Sequence, residues 1–280
     1  MLAAKDTHET AATQFVQVGG NRLAYRRFGQ PSDCPLLLLN YFAAAMDEWD
    51  PKVTNGLAAQ REVILFNYVG VASSTGNAPS TVAAMMKDCV DFCNALNLKK
   101  MDVLGFSLGG MIAQQLAFQH PDMVRRMILV GTGPMGGEGM TFNDALLDDL
   151  KDPVALLKKA FFTASDSSQA AWRDYVERLK LRKVDRDTTV SMKSANAQLN
   201  AIKEWGVVPT SDRYAMLRKI PQPALIVHGN KDIVVIPVNA FLLGQHLADA
   251  QLVMYPDASH GAASQHADFF LQHARLFLDA

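Results

Sequence analysis

The sequence predicts an α/β fold, in which a mainly parallel sheet of eight strands carries helices on both faces. Six apolar runs show no alternation of polar and apolar residues, which is typical of strands buried on both faces. Helical patterns lie between these runs, so β and α elements alternate along the chain. A hairpin pattern near the start adds the two remaining strands.

Each element is predicted from its own stretch of residues. The hairpin comprises Phe15–Val18 and Arg22–Phe28 around the turn residues Gly19-Gly20-Asn21. The six buried runs are Pro35–Leu39, Glu62–Asn67, Met101–Phe106, Arg126–Val130, Ala224–His228 and Gln251–Tyr255. The helical patterns between and after them are Gly56–Gln60, Ser80–Leu96, Leu108–Gln119, Val238–Leu247 and Ala263–Leu278.

One interval, from about Gly136 to Asp212, interrupts this alternation. Its helical patterns are Asp144–Leu150, Val154–Phe162, Ala170–Leu181 and Thr188–Ile202, and it has no buried-strand run. It is predicted to be an all-helical insertion, most simply a lid over the sheet. The alternative is a peripheral helical extension without a functional role. We therefore expect a core domain of residues 1–135 and 213–280 and a helical cap of residues 136–212.

Composition narrows the classes of function. The 280 residues are 49% hydrophobic, which fits a globular protein with a sizeable core. A net charge of -1 gives no reason to expect nucleic acid or an anionic membrane as partner. The polar start of the chain and the absence of a long apolar run favour a cytoplasmic protein. Nothing in the sequence specifies an oligomeric state.

Cysteine usage points to neither a disulfide framework nor a metal site. The chain has 3 cysteines, of which Cys89 and Cys93 stand at helical spacing in an apolar helical pattern. Such a pair is expected to be two buried free thiols. No metal and no cofactor is expected.

The stretch Gly105-Phe106-Ser107-Leu108-Gly109 has a G-x-S-x-G pattern between a predicted strand and a predicted helix. In this setting a serine occupies a strained turn and its hydroxyl projects above the sheet, the arrangement called a nucleophile elbow. The turn brings the two glycines close together, where side chains would collide. The start of the following helix supplies N–H groups and a dipole that suit a developing oxyanion. The bare pattern also arises by chance, so its context is what makes Ser107 a candidate nucleophile.

A serine nucleophile needs a base, and the base needs an acid to orient it. Asp232 follows the run that ends at His228, and His260 follows the run that ends at Tyr255. Ligands of open parallel sheets bind at the carboxyl ends of the strands. Ser107, Asp232 and His260 are therefore expected to meet at one rim, and their chain order is the one expected for this arrangement.

From about Val16 to Leu278 the chain resembles an α/β-hydrolase with a helical cap. The resemblance rests on the elbow Gly-Phe-Ser-Leu-Gly-Gly, on His120-Pro121, on Gly-Asn-Lys-Asp-Ile-Val-Val-Ile-Pro around Asp232 and on Ala-Ser-His-Gly around His260. By that resemblance Ser107 is the nucleophile, His260 the general base and Asp232 its partner.

The resemblance also implies an oxyanion hole made of two backbone N–H groups. One belongs to Leu108 and the other to the loop after Leu39. Family members usually carry His-Gly where this chain has Asn40-Tyr41, and the residue after that pair is the donor. Phe42 is therefore the expected donor, and the three alanines that follow it make a small, open loop.

The function implied by the resemblance is cofactor-free hydrolysis of a small, apolar ester, lactone or thioester through an acyl-enzyme on Ser107. A serine at the elbow disfavours the epoxide hydrolases and haloalkane dehalogenases, which are similar in outline but use aspartate. C–C bond hydrolases and cofactor-free haloperoxidases stay open, because a triad fixes the reaction type and not the substrate. A ligand receptor without turnover is the alternative from a different class, and the altered Asn40-Tyr41 segment is its only support.

Other polar and aromatic residues are assigned structural roles. His228 is expected to pack at its strand end, and His266 and His273 are expected at the surface. Glu138 follows the fourth buried run, where some family members place the acid, but it lies well beyond the strand and Asp232 is preferred. Five aromatic residues of the helical interval either line a pocket or pack the interval onto the body: Phe161, Phe162, Trp172, Tyr175 and Trp205.

Overall fold

An eight-stranded β-sheet forms the centre of the computed structural model, which describes residues 6–140 and 152–280. Its strands are β1 (Gln14–Val18), β2 (Asn21–Gly29), β3 (Leu36–Leu39), β4 (Glu62–Phe66), β5 (Met101–Phe106), β6 (Val124–Val130), β7 (Ala224–Gly229) and β8 (Ala250–Tyr255). They lie in the order β1-β2-β4-β3-β5-β6-β7-β8. Strand β2 pairs antiparallel with β1 and β4, and the remaining pairings are parallel. The predicted mainly parallel sheet of eight strands is confirmed.

Helices connect most of these strands. They are α1 (Pro51–Ala58), α2 (Val82–Ala95), α3 (Leu108–Gln119), α4 (Pro153–Phe161), α5 (Asp166–Leu179), α6 (Met192–Trp205), α7 (Val238–His246), α8 (Ala262–Gln265) and α9 (Ala267–Asp279). Thr81, Ser165 and Ser191 begin α2, α5 and α6, since each hydroxyl accepts a backbone N–H bond from three residues further on. Among the helices of the described residues, none combines the length and apolar character that crossing a membrane requires.

The strands read as unbroken apolar runs because the sheet is covered on both faces. In β3, Leu37 and Leu39 pack into a core that includes α2 and α3. Leu36 and Leu38 point the other way, into a core that includes α1 and α9. All four side chains are 0% exposed, and burying each contributes about 1.5–3 kcal/mol. Two layers of helices thus hold the strand ends in a fixed arrangement.

Several helix boundaries differ from the expected ones. The predicted helix over 263–278 is broken at His266, whose backbone leaves the helical region and whose ring lies 3.1 Å from the carbonyl oxygen of Pro256. The predicted helix over 188–202 begins only at Met192, because the backbone of Ser191 is extended and its hydroxyl caps the helix. Helix α1 begins at Pro51, earlier than its pattern indicated. The helix expected over 144–150 lies outside the described residues.

Helices α4, α5 and α6 lie between β6 and β7 in the chain, and we call residues 136–140 and 152–212 the insertion. Polar contacts tie it to the segment after β3 and to the start of the chain. Arg178 makes two bonds of 2.7 Å to the carboxylate of Asp50, and the backbone N–H of Asp187 donates to Asp47 Oδ2 at 2.6 Å. Arg182 donates to three backbone carbonyls near the start of the chain, those of His8, Glu9 and Ala11. The insertion therefore shares polar contacts with both the segment after β3 and the N-terminal segment.

Candidate active site

Ser107 occupies a sharp turn between β5 and α3. Its backbone has φ 53° and ψ -114°, a conformation that costs a non-glycine residue of order 1–3 kcal/mol. A Cβ on Gly105 would lie 2.4 Å from the carbonyl oxygen of Gly109, and one on Gly109 would lie 2.0 Å from that of Leu39. The crowding predicted for the two glycines of the pattern is therefore present. Only residues without a side chain allow β5, α3 and the loop after β3 to approach so closely.

Asp232 lies in the loop after β7 and is 3% exposed. Its Oδ1 accepts the N–H groups of Val234 and Val235 at 2.8 and 2.9 Å, and its Oδ2 lies 2.8 Å from His260 Nδ1. Burial alone would raise the pKa of Asp232, but the positive charge and hydrogen bonds available from His260 and His228 outweigh it. The pKa of this carboxyl is held well below its ordinary value. Asp232 is therefore a carboxylate and an acceptor for its neighbours.

Contacts from several elements fix the position of His260. Its Nδ1 faces Asp232, and its backbone N–H donates to the carbonyl of Ala160 in α4 at 3.1 Å. The imidazole lies 5.0 Å from the ring of Phe106 and 5.7 Å from that of Phe161, between ring centroids. The ring also rests against Gly131, where a Cβ would lie 3.2 Å from Nδ1. His260 is 3% exposed and has little freedom to rotate.

The strand ends bring this pair next to the elbow. The N–H of Ser107 donates to the carbonyl of Val130 at 2.9 Å, and that of Gly131 donates to Val227 at 3.0 Å, so the carboxyl ends of β5, β6 and β7 are level. His260 contacts Gly131 and Phe106, the residue directly before Ser107. The Asp232–His260 pair therefore lies at the same rim of the sheet as the turn that carries Ser107.

The loop after β3 passes over the first turn of α3 and is built on Asn40. The Asn40 amide donates to the carbonyls of Phe66 and Ala44 at 3.2 and 3.4 Å, and its oxygen accepts from the indole N–H of Trp49. The hydroxyl of Tyr68 donates to the Asn40 carbonyl at 2.9 Å. Asn40 is 0% exposed, so these bonds replace water completely. The residue that departs from the family pattern is the anchor of the loop that contains Phe42.

Two residues at the site carried no functional expectation from the sequence. His228 is 0% exposed, donates from Nε2 to the carbonyl of Val235 at 2.8 Å, and has that nitrogen 3.2 Å from Asp232 Oδ2. It was expected only to pack at its strand end, although its position four residues before Asp232 is a signal for contact. Gln198 of α6 accepts the N–H of Ala43 at 2.7 Å through its Oε1. Nothing in the local sequence indicates that contact.

The remaining candidates have other partners. Glu138 pairs with Arg213 at 2.7 Å and its side chain is 51% exposed, so it is not the acid of this site. His273 is half-buried against the hydroxyl of Tyr255, with its Nδ1 2.9 Å from that oxygen.

The aromatic residues of the insertion divide between the two expected roles. Phe161 lies at the site against His260, whereas Trp205 packs the insertion onto the body and donates to the carbonyl of Gly133 at 3.2 Å. A cavity of about 20 Å³ is lined in part by Phe106, Phe161, Tyr41, Tyr175 and Gly261, the residue after His260. It has room for about one water molecule.

In the part of the chain that the structure describes, no group of three or more His, Cys, Asp or Glu side chains is arranged to hold a metal ion.

The alpha/beta hydrolase fold family matches residues 35–267 of the chain. Proline iminopeptidase PfmaB of Pestalotiopsis fici is 26% identical over 280 residues, which cover 95% of this chain and 99% of the relative. The human serine hydrolase BPHL is 26% identical over 283 residues, which cover 99% of this chain and 89% of the relative. A solved alpha/beta hydrolase fold protein from Chitinophaga pinensis is 38% identical, with a TM-score of 0.94 over 98% of this chain and 100% of that one. The chain therefore belongs to the α/β-hydrolase fold family and is a hydrolase.

Proposed function

We propose that this hydrolase cleaves a small carboxylic ester, lactone or thioester through an acyl-enzyme on Ser107, with His260 as general base and Asp232 as its partner. The observation that carries the proposal is the 2.8 Å contact between His260 Nδ1 and Asp232 Oδ2 beside the strained turn at Ser107. The human relative, named a serine hydrolase, supports the choice of nucleophile.

The contact with Asp232 determines which nitrogen of His260 is the base. A carboxylate only accepts hydrogen bonds, so Nδ1 must carry the proton that it donates. Nε2 then has a free lone pair and can take the proton of the Ser107 hydroxyl. Asp232 also stabilises the imidazolium that forms, which its low pKa permits because it stays ionised.

The reaction follows in two steps. The Ser107 oxygen attacks the carbonyl carbon, and the proton on His260 passes to the leaving alcohol or thiol as the acyl-enzyme forms. Water, deprotonated by the same imidazole, then attacks the acyl carbon, and the acid leaves as the serine oxygen takes back the proton. In both steps the N–H groups of Phe42 and Leu108 donate to the oxyanion, and each such donor is worth about 2.7–4 kcal/mol.

We further propose that the insertion is a cap over this site, with residues 1–135 and 213–280 as the core domain. Support comes from Phe161, whose ring packs on His260, and from the bond between Gln198 and the loop that contains Phe42. Phe42, Phe106 and Phe161 make the surroundings of the reacting group apolar, which favours an uncharged substrate.

The proposal is tested with p-nitrophenyl esters of increasing chain length and with the variant Ser107→Ala. Removing the nucleophile of a triad lowers kcat by about 10⁶-fold. Ser74→Ala is the matched control, since Ser74 is also 6% exposed, and its hydroxyl accepts from the N–H of Ala24 in β2 and donates to the carbonyl of Asn67. A fluorophosphonate probe should label Ser107, identified by peptide mass spectrometry.

Two results would reject the proposal. Ester turnover that survives in Ser107→Ala would exclude the serine mechanism. A parent protein that neither turns over esters nor reacts with the probe, yet binds apolar ligands, would favour the receptor. Proline p-nitroanilide belongs in the panel because one relative is named a proline iminopeptidase. Cleavage of that amide in preference to every ester would replace the ester with an amide substrate.

A further inference from the structure

Gln198 is a polar side chain that the insertion carries into the proposed oxyanion region. It lies on α6, 155 residues from Ala43 in the chain, and is 0% exposed. Its Oε1 accepts the backbone N–H of Ala43 at 2.7 Å. Ala43 directly follows Phe42, so the bond reaches the loop that carries one of the two proposed oxyanion donors.

Ala43 needs an external partner to keep its backbone conformation. Its φ is 54°, in the left-handed region that costs an alanine about 1–2 kcal/mol. A strained residue stays in place only when surrounding bonds fix it. The Gln198 bond does so from the insertion, while Asn40 fixes the start of the same loop from the sheet.

The amide nitrogen of Gln198, Nε2, makes no hydrogen bond to the described residues. A backbone N–H only donates, so the atom facing Ala43 must be the oxygen, and this fixes the orientation of the amide. Nε2 is then buried without a hydrogen-bond partner among the described residues. Because both amide atoms share one carbon, this free donor lies next to the same loop. Buried donors are nearly always paired in native proteins, which points to an acceptor supplied from elsewhere.

We propose that Gln198 serves both parts of the site: Oε1 positions the oxyanion loop through Ala43, and Nε2 donates to an oxygen of the bound substrate. This rests on the proposed ester hydrolysis and narrows its substrate class. The substrate carries a second oxygen acceptor near the scissile carbonyl, as a keto ester, an alkoxy ester or a lactone with a further carbonyl does. Gln198 is a positioning residue through one atom and a specificity residue through the other.

The first experiment compares Gln198→Met with Gln222→Met. Both glutamines are buried, each makes one bond to a backbone group outside its own element, and each has one unpaired amide atom. Gln222 bonds Pro121 at the opposite end of the sheet, so its variant controls for the loss of a buried amide. We expect Gln198→Met to lower kcat on a plain ester and the rate of fluorophosphonate labelling by about 10–100-fold. Gln222→Met should change neither by more than about two-fold.

The second experiment measures substrate preference in the same variants. Ethyl butanoate is compared with ethyl 3-oxobutanoate, which adds an acceptor on the acyl side, and with 2-methoxyethyl butanoate, which adds one on the alcohol side. The preference for one acceptor-bearing ester over ethyl butanoate should fall about ten-fold in Gln198→Met, because one hydrogen bond is lost. The preference of each variant is divided by that of the parent, so that differences in intrinsic reactivity between the esters cancel.

The outcomes separate this inference from the proposed function. If Gln198→Met has the same labelling rate and the same ester preferences as Gln222→Met, the inference about Gln198 is overturned, while the serine mechanism stands. A parent that the probe does not label would overturn both, and this is seen without any Gln198 variant. Thermal melting identifies a variant that does not fold, in which case Gln198→Ala is measured in its place under the same criteria.

Discussion

Gly131 offers a direct test of how closely the position of His260 is set. Its φ is 52°, and a Cβ built on it would lie 3.1 Å from the ring of Phe106 and 3.2 Å from Cε1 and Nδ1 of His260. Ordinary carbon contacts are about 3.5–4.0 Å. The variant Gly131→Ala must therefore move the imidazole by a few tenths of an ångström. Because Nδ1 stays bonded to Asp232, the ring tilts and Nε2 moves away from Ser107.

The expected cost has two parts that a second glycine separates. Gly19 lies in the turn between β1 and β2 with φ 58°, and a Cβ there would have nothing within 4 Å. Alanine in this backbone region costs about 1–2 kcal/mol at either position, or roughly 2–4 °C in Tm. Misplacing a reacting group by about 1 Å costs about 100-fold. Gly131→Ala should therefore lose about ten-fold in kcat, and Gly19→Ala should lose none.

The assay is steady-state turnover of a p-nitrophenyl ester alongside thermal melting for the parent and both variants. A ten-fold difference in kcat between two variants that are both folded at the assay temperature would locate the effect at the imidazole. If kcat of Gly131→Ala stays within two-fold of Gly19→Ala, the ring is not positioned by this contact, and the reasoning from the 3.2 Å distance is refuted.

Three further variants test the surroundings of the proposed triad. His228→Leu removes a donor from Asp232 Oδ2, and kcat should fall about ten-fold with KM unchanged; an unchanged kcat would mean that His228 only fills space. Asp232→Asn should lower kcat about 10⁴-fold. Because the pKa of Asp232 is lower in the folded protein than the value of about 3.9 in the unfolded chain, its carboxylate stabilises the parent above that pH, and this contribution is lost as the pH falls below it. The free energy of unfolding measured in urea should therefore fall more between pH 5 and pH 3 for the parent than for Asp232→Asn. Equal losses in both proteins would contradict that sign. Asn40→Ala leaves the indole of Trp49 and a buried carbonyl unpaired and should cost about 2–4 kcal/mol in urea unfolding, whereas a loss under 1 kcal/mol would show that Asn40 is not the anchor of its loop.

The sheet could be predicted because its signal is local. Each central strand is buried on both faces, so runs such as Leu36–Leu39 identify a strand without knowledge of its neighbours. The contact between Asp232 and His260 could be predicted for a related reason, since both residues follow neighbouring strands whose ends lie side by side. Position at a strand end is enough to bring side chains together in a parallel sheet.

The contacts of the insertion could not be predicted in this way. Gln198 and Ala43 are 155 residues apart, and no periodicity or motif relates a helix of the insertion to a loop of the sheet. The role of Asn40 was hidden for a different reason. In the sequence it stands out only as a departure from the family's usual His-Gly, whereas its side chain makes three hydrogen bonds that form after folding. The contact of His228 could be anticipated more readily, because His228 ends a strand and Asp232 lies in the short loop that follows it.

The charged contacts between the insertion and the body limit how this hydrolase can be recombined with its relatives. Arg178 and Asp187 find their partners, Asp50 and Asp47, in the segment after β3, and Arg182 finds its acceptors in residues 8–11. A chimera that exchanges only the insertion would leave Asp50 and the carbonyls of residues 8–11 without these partners, and breaking the Arg178–Asp50 ion pair alone costs up to about 3–5 kcal/mol. Exchange between family members should succeed only when the insertion, the segment after β3 and the N-terminal residues are transferred as one set. In evolutionary terms, three stretches far apart in the gene are constrained to change together.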